Sequence, residues 1–306
     1  MWKTAIFLIF SLIVVPIIAF YYGKAPNEIQ IQAIITTLNV YLIASIICFL
    51  VSTLTNNHSQ VDKLWSIMPI IYAWIIAYYG DFTPRMILIA SLISLWGIRL
   101  TYNFSRRGGY SWKFWSGDED YRWSVLRKKP EFKSTWKWVL FNLFFISLYQ
   151  MGLILLITFP MIKAIGGSEI NLYDYILAAL VIFFIITETI ADQQQWNYQK
   201  TKHKLIKEGK KLTGIYSKGF VHTGLWSIVR HPNYASEQAI WIVMYFFSVS
   251  ATGQWLNWSI VGCLLLVILF KGSSDFSEAI TSKKYSEYEQ YKKITGRFFP
   301  YFGSKK

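Results

Sequence analysis

Long apolar segments recur along the whole chain and constrain its fold more than any other feature. A helix needs about 20 mostly apolar residues to cross the hydrocarbon core of a bilayer. Runs of this kind, some slightly shorter, lie at residues 3–22, 33–54, 65–80, 84–102, 137–160, 172–190, 234–250 and 255–271. The pattern predicts an all-α, polytopic transmembrane helical bundle of about 7–8 spans, with cytoplasmic loops forming any cofactor site. We see no linker or repeat, so residues 1–306 are expected to form a single membrane domain.

The composition favours lipid as part of the solvent. Hydrophobic residues make up 54% and charged residues only 16% of the chain, whereas soluble domains carry about 25% charged residues. The two cysteines, Cys48 and Cys263, lie in apolar runs without another cysteine or histidine at metal-ligand spacing. They are therefore expected to be buried free thiols, and no metal site is predicted.

The basic residues predict the orientation. The segments 103–137, 191–233 and 271–306 carry nine, eight and eight of the 31 Lys and Arg residues, and two spans separate each segment from the next. Basic loops favour the cytoplasmic side, so both termini and all three segments are expected there. This distribution explains the net charge of +14 better than nucleic-acid binding does. We expect an integral protein of a bacterial inner membrane.

The string Gly224–Glu237 contains the densest group of polar residues at the mouth of a span. Arg230, His231, Asn233 and Glu237 surround Pro232, which suits the first turn of a helix. A carboxylate within a bilayer is costly and indicates a functional site. The alternative is that Arg230 and His231 meet lipid phosphates while Glu237 pairs with Arg230.

Three further groups could carry chemistry. Glu188 and Asp192, four residues apart at the end of an apolar run, could bind ribose hydroxyls or could be solvated there. Arg99 with Arg106 and Arg107 could bind phosphates, although Arg99 could also extend to the membrane surface. Asp62, at the start of a span, could instead be a helix N-cap.

These strings resemble the DUF1295 proteins, which belong with the steroid 5-alpha-reductase-like (3-oxo-5-alpha-steroid 4-dehydrogenase C-terminal) membrane enzymes. The resemblance covers residues 61–301, and residues 1–60 form less family-specific N-terminal spans. It rests on these motifs in order: Val61-Asp62 with Trp65; Trp96-Gly97-Ile98-Arg99-Leu100 with Arg106-Arg107; Glu119-Asp120-Tyr121-Arg122 with Leu126-Arg127; Glu188 with Ala191-Asp192-Gln193; Gly224-Leu225-Trp226 with Arg230-His231-Pro232-Asn233-Tyr234 and Glu237; and Tyr288 with Tyr291, Thr295 and Phe299-Pro300.

The resemblance implies an oxidoreductase that binds NADPH from the cytoplasm and reduces the C=C bond of an enone in a lipophilic, steroid-like or isoprenoid-like substrate. By position, the cofactor would be bound by Arg99, Arg106, Arg107, Glu188, Asp192, Arg230, His231, Asn233, Tyr234 and Glu237, with phosphate contacts from Lys200 and Lys271. Where the steroid branch has a Gln-Glu pair and a Tyr near the substrate carbonyl, this chain has Val61-Asp62 and Trp96. Asp62 could donate a proton if its surroundings keep it protonated, whereas the Trp96 side chain cannot act as an acid.

Two other functions remain open. Arg-His-Pro-x-Tyr also occurs in the isoprenylcysteine carboxyl methyltransferases, which would use S-adenosylmethionine, but those enzymes carry a paired Glu-Glu where this chain has the single Glu278. A non-catalytic lipid-binding protein could also bury polar residues. As partners we expect a lipophilic small molecule and membrane lipid, without nucleic acid or an obligatory protein partner.

Overall fold

A computed structural model describes residues 2–301, apart from the side chains of residues 2–5, 7–9 and 22. The long helices are α1 (Trp2–Tyr22), α2 (Glu28–Thr55), α3 (Gln60–Tyr79), α4 (Pro84–Ser105), α9 (Leu172–Lys207), α10 (Pro232–Thr252) and α11 (Val261–Lys284). The short ones are α5 (Tyr121–Arg127), α6 (Thr135–Phe141), α7 (Gln150–Leu156), α8 (Phe159–Lys163) and α12 (Tyr288–Ile294). A π-helical segment, Asn142–Tyr149, joins α6 to α7.

The predicted all-α class is confirmed. Within the described part of the chain there is no strand, and only one isolated bridge, between Val229 and Gly296. Six helical segments there are long and apolar enough to cross a membrane: Glu28–Thr55, Gln60–Tyr79, Pro84–Ser105, Thr135–Lys163, Leu172–Lys207 and Trp258–Lys284. The remaining predicted runs, 3–22 and 234–250, coincide with α1 and α10. These features describe an integral membrane protein.

Helix α9 extends well beyond its apolar run. Its 36 residues correspond to a length of about 54 Å, although the apolar run ends near residue 190. The polar stretch 191–233 is therefore helical as far as Lys207, and two 3₁₀ turns follow at Gly214–Tyr216 and Gly224–Ser227. As the sequence predicted, Pro232 is the first residue of a helix, α10.

The chain divides into two compact units. The first contains Met1–Ala178 and Val243–Leu265, and the second contains Ala179–Ile242 and Leu266–Lys306. In the first unit α3 and α4 approach closely at Gly97, where an added Cβ would lie 2.5 Å from the carbonyl oxygen of Ser66. The hydroxyls of Ser66 and Thr101 join the same two helices at 2.7 Å. Fully buried aromatic side chains, Tyr72 and Trp96 among them, fill the unit's core.

A buried ion pair ties α4 to the start of α9 within the first unit. Arg85 donates to both carboxylate oxygens of Asp174, at 2.9 and 2.8 Å. It also donates to the carbonyl oxygens of Ser168 and Glu169. Because both charged groups are surrounded by hydrogen-bonding partners, the cost of burying them is offset.

Aromatic side chains form the core of the second unit. One cluster comprises Tyr198, Val221 and Trp226, and another comprises Phe220, Tyr288 and Tyr291. The buried Lys202 donates to the carbonyl oxygen of Gly219 at 2.9 Å. Its ammonium group also lies 5.8 Å from the centres of the Tyr198 and Tyr285 rings. The polar segment that follows α9 is therefore packed in place.

Candidate functional site

Asp62, the candidate acid, lies in the first turn of α3 in the first unit. It is not the helix N-cap, because that position belongs to Ser59. Its carboxylate instead accepts a hydrogen bond from Trp123 Nε1 at 2.9 Å. An indole N–H can only donate, so Asp62 Oδ2 is an acceptor, and any proton on this carboxyl group is carried by Oδ1.

The residue after Asp62 has a different role, which the sequence did not indicate. Lys63 is buried, and its ammonium group donates to the carbonyl oxygens of Phe114 and Ser116, at 3.0 and 2.6 Å. It also donates to Gln60 Oε1 at 3.2 Å. Its only signal in the sequence is a Lys at the start of an apolar run.

A second network fixes the residues before α3. Trp138 Nε1 donates to Nε2 of the buried His58 at 2.9 Å, and His58 Nδ1 lies 3.2 Å from Glu119 Oε1 and 2.8 Å from Arg127 Nη2. Arg127 donates to the same carboxylate oxygen at 2.9 Å. Burial alone would raise the pKa of Glu119, but the hydrogen bonds of His58 and the charge of Arg127 outweigh burial and lower it.

A neighbouring carboxylate, that of Asp120, is also paired with an arginine of the same segment. Arg122 donates to both oxygens of Asp120, at 2.8 and 3.1 Å. Burial would raise the pKa of Asp120, but the charge and hydrogen bonds of Arg122 hold it below its usual value. The acidic turn that begins at Asp118 is therefore mostly directed towards the protein's own basic groups.

Trp96 and Arg99 lie on α4, and Arg106 and Arg107 follow its last residue. Trp96 is fully buried, and Arg99, one turn further on, is half-buried. Arg106 follows the last residue of α4 and donates to Asn103 Oδ1 at 2.9 Å, and Arg107 is exposed. All of them belong to the first unit, as Asp62 does.

The second unit contains the predicted acids. Glu188 and Asp192 on α9 and Glu237 on α10 are all buried. Asn233 Nδ2 donates to Asp192 Oδ1 at 3.1 Å, and Trp241 Nε1 donates to Glu237 Oε1 at 3.2 Å. The structure thus brings together Asp192 and Asn233, which the sequence placed in one cofactor site.

Arg230 and His231 converge on a carboxylate that the site prediction left out. Arg230 Nε and His231 Nε2 lie 2.8 and 2.9 Å from Glu278 Oε1, and Arg297 reaches Glu278 Oε2 at 3.5 Å. Arg230 also donates to the carbonyl oxygens of Lys292 and Thr295. The alternative pairing of Arg230 with Glu237 is wrong for this structure, because Glu278 takes that place.

The backbone and the aromatic rings support this cluster. The amide of Arg230 donates to the carbonyl oxygen of Gly296 at 2.8 Å. The His231 ring stacks on Tyr234, with centroids 5.3 Å apart and planes at 12°. Tyr291 donates from its hydroxyl to the carbonyl oxygen of Trp226. Burial raises the pKa of Tyr291, so this phenol remains a neutral donor.

The two predicted lysines lie at the surface. Lys200 is exposed on α9, and Lys271 on α11 forms an exposed ion pair with Asp275 at 3.2 Å. Cys48 and Cys263 are buried free thiols, as the sequence predicted. Within residues 2–301, no three His, Cys, Asp or Glu side chains are arranged to hold a metal ion.

Comparisons with known proteins agree with the motifs. The family described as "Protein of unknown function (DUF1295)" matches residues 48–295. An uncharacterized protein of Schizosaccharomyces pombe is 36% identical over 263 residues, which cover 82% of this chain and 74% of the relative. No solved structure matches. The chain belongs to the DUF1295 family.

Proposed function

We propose that this protein is an NADPH-dependent reductase of an enone C=C bond in a lipophilic, steroid-like or isoprenoid-like substrate. The observation that carries the proposal is the group of buried acids on α9 and α10. Glu188, Asp192 and Glu237 are each at most 4% exposed, on helices that carry the apolar runs 172–190 and 234–250. Buried carboxylates in such a setting are costly and usually serve a function. The resemblance to the steroid 5-alpha-reductase-like enzymes suggests which one.

The second unit offers side chains of the kinds that bind a ribose. Ribose hydroxyls need acceptors, which Asp192 and Glu237 offer beside the amide of Asn233. The resemblance assigns the phosphate contacts to Arg106 and Arg107, which follow α4 in the first unit. Arg99, Lys200 and Lys271 are further candidates, and Glu188 and Tyr234 complete the acceptor and stacking groups. NADPH, when bound, would supply the hydride that reduces the C=C bond.

In this proposal the Glu278 cluster positions the site rather than binding the cofactor. Arg230 and His231 both hydrogen-bond Glu278, and Arg230 also binds two backbone carbonyl oxygens. Their role is to hold the start of α10, and hence Asn233 and Glu237, in a fixed orientation. A methyltransferase that used Glu278 as a ligand would have to displace these contacts, so the same observation favours the reductase over the methyltransferase.

Asp62 is proposed to supply a proton to the substrate. Trp123 fixes one carboxyl oxygen as an acceptor, which leaves Oδ1 as the position from which a proton would move to the enone carbonyl oxygen. Trp96 is fully buried and is assigned to exclude water rather than to transfer protons. The basic segments and both termini are proposed to face the cytoplasm of a bacterial inner membrane, since Lys and Arg are concentrated there.

The test is a ligand titration of the detergent-solubilised protein, following heat unfolding with NADPH, NADH and S-adenosylmethionine. A ligand at a hundredfold excess over its dissociation constant stabilises by about 2.7 kcal/mol. We expect a shift with NADPH, and NADPH oxidation when an apolar enone is added. A shift with S-adenosylmethionine alone would refute the proposal, as would the absence of any shift and of any oxidation with the enones.

A matched pair of variants assigns the site. Glu237→Gln keeps an acceptor for Trp241 but removes the charge, so we expect it to lose NADPH binding while remaining folded. Glu208→Gln makes the same change at an exposed position just after α9, where Glu208 pairs with Lys204 and Lys210, and should bind NADPH like the wild type. Equal affinity in the two variants would remove Glu237 from the site.

A further inference from the structure

A loop between α4 and α5 displays large aromatic side chains to the outside. We name residues 110–115, with the sequence Tyr-Ser-Trp-Lys-Phe-Trp, the aromatic loop. The Trp112 side chain is fully exposed, and Phe114 and Trp115 are 68% and 43% exposed. Water-facing aromatic groups of this size are unfavourable, because each has an apolar surface of about 150–250 Å².

The exposure does not come from a loose loop. The backbone carbonyl oxygens of Phe114 and Ser116 accept hydrogen bonds from the buried ammonium group of Lys63. Gln60 Nε2 donates to the carbonyl oxygen of Trp115 at 2.8 Å. Buried side chains at the start of α3 therefore hold the loop backbone, while the side chains of Trp112, Phe114 and Trp115 are directed outwards.

Both ends of the aromatic loop are fixed as well. The Tyr110 hydroxyl donates to the carbonyl oxygen of Lys63 at 3.0 Å, and its ring lies edge-on to Phe104, with centroids 5.6 Å apart. On the other side, Asn57 Nδ2 donates to the carbonyl oxygen of Gly117 at 2.8 Å. A loop anchored at three places presents Trp112 and Phe114 in a defined direction.

The position of the loop identifies what it meets. Gln60 and Lys63 belong to the first turn of the spanning segment Gln60–Tyr79, and the loop follows the spanning segment Pro84–Ser105. It therefore lies where two spans leave the hydrocarbon core, at the level of the lipid headgroups. Tryptophan and tyrosine are enriched at that level, because their rings are apolar while their N–H and O–H groups can hydrogen-bond.

The charges near the loop suit an anionic surface. Lys113 is exposed between the aromatic residues, and the exposed Arg107 precedes the loop. Of the acids that follow, Asp118 is exposed, whereas Glu119 and Asp120 are engaged by Arg127 and Arg122. Two exposed cations, Arg107 and Lys113, against the one exposed carboxylate of Asp118 leave the outward charge of residues 107–120 positive, and anionic lipid headgroups attract such a segment.

We propose that the aromatic loop inserts Trp112, Phe114 and Trp115 into the headgroup region of the membrane leaflet next to it. The loop then acts as a fixed interfacial anchor of the first unit, held from beneath by Lys63. The inference is independent of the proposed reductase activity.

The test measures the depth of the loop with a fluorescent label. In Trp112→Cys, a maleimide dye would react only at residue 112, because Cys48 and Cys263 are buried. The labelled protein is placed, one copy per disc, in nanodiscs of phosphatidylcholine and phosphatidylglycerol that carry nitroxide-labelled headgroups. Lys211→Cys, at an exposed position after α9, serves as the water-exposed control.

At residue 112 we expect blue-shifted emission, strong quenching by the nitroxide lipid and weak quenching by aqueous iodide. The control should show the opposite. The proposal fails if iodide quenches the two labels equally. It also fails if residue 112 is shielded from iodide without nitroxide quenching, because the loop would then be covered by protein rather than by lipid.

Discussion

Neutralising Glu278 is the perturbation whose effect the structure defines most sharply. Glu278 is 3% exposed and Arg230 is 8% exposed, so the ion pair is almost fully removed from water. Removing one partner of a buried pair typically costs about 3–5 kcal/mol, because the other charge stays buried without compensation. For Glu278→Gln we expect the lower end, about 3 kcal/mol, since Arg297 is partly exposed and can turn towards solvent.

The assay is heat unfolding in mild detergent, followed by the emission of the 14 tryptophans. At roughly 2 °C per kcal/mol for a chain of this size, Glu278→Gln should lower the unfolding temperature by about 6 °C. Asp275→Asn is the matched control, because Asp275 lies on the same helix and contacts Arg297 but is exposed. Exposed pairs contribute about 0–1 kcal/mol, so this control should stay within about 2 °C of the wild type.

A double-mutant cycle separates the pair from its surroundings. Arg230→Met, Glu278→Leu and the double variant replace the charges by side chains of similar size. The double variant should be less destabilised than the sum of the two single variants, because it leaves no unpaired charge. Additive effects, or a Glu278→Gln protein as stable as Asp275→Asn, would refute the positioning role assigned to the Glu278 cluster.

Three further perturbations have defined outcomes. Gly97→Ala puts a methyl group 2.5 Å from a backbone oxygen of α3, so it should lower the unfolding temperature or prevent folding. Gly272→Ala is the control, because no atom lies within 4 Å of the added methyl group. This control should raise the unfolding temperature, because alanine is favoured over glycine in helices by roughly 1 kcal/mol. Because the folded pKa of Glu119 is lowered, Glu119 stabilises the protein above its unfolded pKa, about 4.3, and this contribution is lost as the pH falls through the folded pKa. Unfolding of Glu119→Gln should therefore depend less on pH in that acidic range than unfolding of the wild type, and equal pH profiles would contradict this. Lys63→Met removes the anchor of the aromatic loop, so chymotrypsin should cut within residues 110–117 faster than in the wild type or in the exposed control Lys113→Met.

The helices could be predicted from the sequence because the bilayer imposes a local rule. A segment such as 84–102 needs only its own composition to form a spanning helix, since its backbone groups must bond within the segment. The first residue of α10 followed in the same way from the fixed φ angle of Pro232. The partners of Arg230 could not be predicted, because Glu278 lies 48 residues away and the sequence offers the nearer Glu237 as an equally plausible carboxylate.

Asp62 and Lys63 show that even the contacts of two adjacent residues could not be predicted from the sequence. Adjacent helical residues point about 100° apart, so two neighbours can meet different elements. Here Asp62 meets the Trp123 indole, and Lys63 meets the carbonyl oxygens of the aromatic loop. The sequence indicated a functional role for the acid because it matched a family motif, and it gave no reason to separate Lys63 from a surface lysine. Yet both partners come from the one segment 114–123, so the lysine that holds the aromatic loop also fixes the start of the segment that orients the candidate acid. A change at Lys63 should therefore reach Asp62 through that segment without touching the carboxylate itself.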